Sequence, residues 1–130
     1  MKRLLFGLAL TTFAVALPAY AHHSFARYYY EDRSISIEGE LYEFSLRSPH
    51  AWVYVMTEDK NGEMQLFAAE WANVNRLIQQ GVVEDTLKPG DHVILTGSPG
   101  RDPSEHKIRL KGIERLSDGW KWARNTEDAR

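Results

Sequence analysis

The sequence contains no cysteine. That absence excludes a disulfide framework, a cysteine nucleophile and a lipid anchor on cysteine. Long apolar runs are nearly as scarce. The one run present is the 14-residue stretch from Leu4 to Leu17, shorter than the ~20 residues a membrane span requires. Enzyme signatures are missing too. The chain has no Gly-x-Ser-x-Gly elbow, no phosphate-cradling glycine loop and no His-Glu-x-x-His, so an enzyme is the least favoured class. Positive charge is not in excess: 16 basic residues stand against 18 acidic ones.

What is present begins with the start of the chain. Met1-Lys2-Arg3, the apolar run, Pro18 and Ala19-Tyr20-Ala21 have the order of a basic region, a hydrophobic region and a small-x-small cleavage box. These are the parts of a secretory signal peptide. Cleavage after Ala21 is expected, with a periplasmic or secreted product and no later membrane span. The mature chain would have 109 of the 130 residues and, without Lys2 and Arg3, a net charge of −4. A mildly acidic exported domain leads to the expectation of no nucleic-acid partner, since such partners are drawn by positive charge.

The mature chain divides by pattern. Residues 22–33 have no clean period and are read as an extended arm. A barrel domain is expected over 34–122, with a frayed tail over 123–130. In the first strand Ile35, Ile37, Gly39 and Leu41 share one face, and the apolar phase then slips to Phe44 and Leu46. The slip predicts a bulge or bend between Gly39 and Glu43. "AWVYVMTE" and "MQLFAAEW" flank Asn61-Gly62, a strong hairpin signal. Val74, Leu77 and Ile78 have helical spacing between Asn73, a cap residue, and Gly81, a terminator. "HVILTGS" and "KIRLKGIERL" are two further strands, the second slipping phase at Gly112.

The order β-β-β-α-β-β describes an all-β protein with one short helix. It is that of an OB-like five-stranded Greek-key barrel, in which a bent first strand pairs in both halves. The alternative is an open five-stranded sheet with one packed helix. The expected core comprises Ile35, Ile37, Leu41, Val53, Val55, Val93, Leu95, Ile108 and Leu110, with Val74, Leu77 and Ile78 facing it from the helix.

Two of the five histidines, His22 and His23, follow the cleavage box directly. If His22 becomes the amino terminus, its free amine and its own imidazole chelate one metal together. An imidazole from His50, behind the strand-ending Ser48-Pro49, would supply a third nitrogen. Nitrogen sets of this kind suit copper, nickel and zinc, with copper heading the affinity order. The plain alternative is a solvated histidine pair, with His50 bonded to backbone. Glu70 alternates with Ala69 and Trp71, which points it outward; turned inward, it would orient a ligating histidine. His92 and His106 lie beside turns and are expected to be exposed. Lys107, Arg109 and Lys111 share a strand face that reads as solvated.

Tyr42, Phe44, Trp52 and Tyr54 are read as core and mouth residues. Trp52 and Tyr54, with Glu70, also mark a face on which a small ligand or a protein partner could bind. Two readings therefore stand: a module that binds copper through His22, His23 and His50, and a metal-free module that binds a small ligand or a protein partner.

Taken together, His22-His23-Ser24-Phe25, Gly39, Ser48-Pro49-His50, Glu70 and Pro89-Gly90-Asp91 resemble a family of small exported bacterial proteins of unknown function. That family typically has Asn-Pro-His where this chain has Ser-Pro-His. The resemblance implies the same architecture and export, and it implies no activity.

Overall fold

A computed structural model describes residues 25–124. The expected signal peptide (1–21), His22, His23 and the end of the tail lie outside the described residues. Strand β1 spans Ile35–Ser45, β2 His50–Glu58 and β3 Met64–Asn73; helix α1 spans Val74–Gln79; then come β4 His92–Pro99, β5 Lys107–Arg115 and β6 Lys121–Ala123. The sheet order is β3-β2-β1-β4-β5-β6, and an additional β3–β5 pairing closes the first five strands into a barrel. This is the expected OB-like Greek-key order. The short β6, paired with β5 through Gly112–Ala123 and Ile113–Trp122, is an addition to it.

Strand β1 serves both halves of the barrel. It pairs with β4 from Ile35 to Glu40 and with β2 from Glu40 to Ser45, with a register shift between Leu41 and Glu43. The irregularity lies where the apolar phase slips, because a strand that changes partners must turn its inward face. Gly39 is required at this crossing: a Cβ there would overlap the Met56 carbonyl oxygen and crowd Val55. The second slip is also a bulge, with Thr96 opposite Gly112 and Gly97 opposite Leu110, which leaves Lys111 as the extra residue.

Val53, Val55, Val93, Leu95 and Ile108 are fully buried in the barrel. Helix α1 adds Val74 and Leu77, and the segment after it adds Val82 and Leu87. Asn73 caps α1, its side chain accepting from the N–H groups of Asn75 and Arg76. Gly81 ends it at φ +86°. Two expected core residues differ. Ile35 is 38% exposed at the outer end of β1, and Ile78 is 52% exposed because a six-residue helix turns only one face inward. Tyr42, at 60% exposure, is not a core residue.

The arm is not extended throughout. Residues 25–28 are helical, and Tyr29 then bridges to Gly100. The Tyr30 N–H donates to the Pro99 carbonyl and the Arg101 N–H to that of Tyr28. Arg33 and Arg101 both stack on the Tyr30 ring. These contacts tie the arm to the end of β4 and the loop after it. No described helix is long and apolar enough to cross a membrane.

Candidate functional site

The site forms where the arm crosses the closing seam. Strand β3 runs parallel to β5 through Ala68–Lys107, Ala69–Ile108 and Glu70–Arg109, and the paired register stops there. Ala69 and Ile108 point into the core. By strand alternation Glu70 and Arg109 point away from it, as the sequence pattern indicates.

Glu70 is nevertheless not solvated, since its side chain is only 14% exposed. One carboxylate oxygen accepts from the Tyr29 hydroxyl at 2.7 Å, and the other lies 2.8 Å from Nδ1 of His50. His50 is the first residue of β2. The β2–β3 register shifts between His50 and Trp52, while Trp52 stands opposite Glu70. That irregularity brings His50 diagonally over the carboxylate. With Nδ1 engaged on Glu70, the nitrogen left for another partner is Nε2. Phe25 packs against the His50 ring at 5.7 Å, so the beginning of the described chain touches this histidine.

Tyr29 is 3% exposed. Burial, and then its bond to Glu70, push its phenol well above the ordinary tyrosine range. A pKa raised in the folded state gives stability that is complete below the ordinary value of about 10 and is lost as pH rises beyond it. Chemical denaturation at about pH 9 and about pH 11 should therefore show a larger loss in the native chain than in Tyr29→Phe. Equal losses would contradict the Tyr29–Glu70 coupling.

The basic stripe of β5 holds the arm and is not a solvated face. Arg109 pairs through Nη1 with Glu31 and lies 3.6 Å over the Phe25 ring. Lys111 donates to the carbonyls of Glu31 and Arg33, and Lys107 pairs with Glu105. Burial, and next the neighbouring Arg124, push the Arg109 guanidinium below its usual range.

The other marked residues separate. Trp52 lines a small cavity with Tyr28, Tyr29, Glu70, Glu105 and Lys107. Tyr54 stacks on Trp52 at 6.4 Å and does not line it. His92 pairs with Glu38 on the surface. His106 packs on Phe67 at 5.1 Å. Among the described residues, no three metal-ligating side chains cluster. His22 and His23 are outside that set, so the three-histidine arrangement is neither formed nor broken within it. Sequence pattern missed Tyr29 and Glu31, and it marked Arg109 only as part of a solvated face. The one signal for the first two is composition: aromatics and a carboxylate in an arm without a period.

A family model described as a family of unknown function (DUF6152) matches residues 10–109. No curated protein matches the chain. Among solved structures, the mitochondrial single-stranded DNA-binding protein of S. cerevisiae aligns at 14% identity and a TM-score of 0.48, over 65% of this chain and 93% of its own. The small single-stranded DNA-binding protein of Streptomyces coelicolor aligns at 17% identity and a TM-score of 0.41, over 68% of this chain and 96% of its own. At these values the likeness assigns this chain no ligand. The names of these proteins nonetheless conflict with the expectation of no nucleic-acid partner, and that expectation is withdrawn. Net charge was too coarse a criterion, because binding answers to local potential and this surface carries clustered arginines.

Proposed function

The chain belongs to that family of unknown function, whose name carries no activity, and from its own residues we propose an exported binding module that holds a transition metal, copper by preference. His50 supplies Nε2, and a mature terminus at His22 supplies its amine and imidazole, with His23 as a further ligand. The observation that carries this reading is the Tyr29–Glu70–His50 chain, at 2.7 and 2.8 Å. A carboxylate on the far nitrogen of an imidazole fixes its tautomer and raises its basicity, and ligating histidines are typically held this way. Phe25 against His50 supports the reading too. Two peptide steps separate His23 from Phe25 and reach at most about 7 Å, so chain length does not keep the pair from His50.

The test is Glu70→Gln. It keeps the shape and removes the charge behind His50. Copper affinity by calorimetry should fall by about 10–100-fold, with the circular dichroism spectrum unchanged. Undiminished affinity in a folded variant would contradict the role of Glu70. The second reading, a metal-free module for a small ligand or a protein partner, is favoured by one observation: the arginine-lined cleft beside His50.

A further inference from the structure

Beyond the Glu70–Arg109 pair, β3 and β5 have no further registered contact. A cleft of about 180 Å³ lies there. Trp71 and Leu110 line it from the two parting strands, Arg76 from α1 and Gln80 from its C-cap, and Trp122 from β6 with Arg124 just after it. Arg109, Phe25 and His50 complete the rim.

We propose that this cleft binds a small oxyanion, a carboxylate or phosphate group on a compact body, through Arg76, Arg109 and Arg124. Three guanidinium groups line it and no carboxylate does, in a chain whose net charge is −2. Guanidinium is the side chain best matched to planar or tetrahedral oxyanions. A second feature is independent of charge. Trp71 is 3% exposed, and its indole N–H is buried with no acceptor among the described residues. A buried donor without a partner is costly, and Trp71 is one of the residues that line the cleft.

The walls set the rest of the ligand. Trp71 and Trp122 meet edge to face at 5.1 Å. With Phe25, Leu110 and Ala72 they offer an apolar lining to a flat or compact body. The volume is below the ~300–1,000 Å³ of ordinary ligand pockets, which limits the occupant to a few heavy atoms beyond the anionic group. Burial, and next the charge of Arg124, hold the Arg109 guanidinium below its usual range, and a bound anion relieves that repulsion. None of this requires a metal at His50.

The experiment uses the metal-stripped full chain, so that its failure is separate from failure of the metal reading. Tryptophan fluorescence is followed while benzoate, inorganic phosphate or benzylamine is added. A saturable change is expected with at least one anion and none with benzylamine. Tighter benzoate binding identifies a carboxylate ligand, and tighter phosphate binding a phosphate. Arg124→Gln should weaken the anion by roughly tenfold or more, the scale of a lost charged hydrogen bond. Lys121→Gln, on the adjoining β6, should leave it within about twofold, as expected of an exposed charge. Four results would overturn the proposal. They are no saturable response to either anion, an equal response to benzylamine, unchanged affinity in a folded Arg124→Gln variant, or binding of a single-stranded oligonucleotide alone.

Discussion

Replacing His50 by alanine is expected to lower the copper affinity of the mature chain by about a hundredfold or more, while His106→Ala changes it by less than about twofold. The loss should exceed the ~10–100-fold cost of removing an outer partner such as Glu70, because a ligand itself is removed. The two histidines differ in what holds them. His50 has Nδ1 on Glu70 and its ring against Phe25, at the edge of a cleft. His106 is a left-handed residue at φ 45° that packs on Phe67. Each ring touches an aromatic, so a general loss of packing would affect both variants. Calorimetric titration of the pair separates ligation from packing. Similar affinities in the two would remove His50 from the metal site.

The second large effect concerns the barrel. Leu95→Ala is expected to cost about 2–5 kcal/mol, the transfer energy of the lost methyl groups together with the cavity they leave. Leu95 is fully buried and sits on β4 opposite Ile37 and Ile113, between the two strands that β4 joins. The closed barrel leaves little room for collapse around it, which places the cost in the upper part of that range. Urea unfolding measures it. A shift near zero would mean that Leu95 does not face the core and that the register of β4 is wrong.

The barrel was legible in the sequence because its constraints are local. A strand that changes partners must slip phase, and the slips at Gly39–Glu43 and Gly112 are visible as breaks in alternation. Asn73 and Gly81 announce both ends of α1 for the same reason. Ile35 and Ile78 were misplaced because periodicity gives a direction but not what lies there: one is at a strand end and the other on a helix too short to bury two faces. The site was half legible. His50 and Glu70 could be marked, and Glu70 does point outward. Its cover could not be read. Tyr29 lies 41 positions from Glu70, and Glu31 lies 78 from Arg109. No spacing rule connects an arm without a period to the strand it crosses, so the basic stripe on β5 looked like a solvated face. The three residues of β6 are too few to establish an alternation.

The barrel and its site support a binding module, and a transition metal at His50 is the proposal built on them. It is tested most directly by the metal content of the mature protein with His22 as its first residue, loaded with copper, desalted and analysed. The account predicts stoichiometric copper in that protein and a sharp loss when one residue is added before His22, because the free amine is displaced. A copper-free protein, or equal retention with and without the added residue, would contradict it.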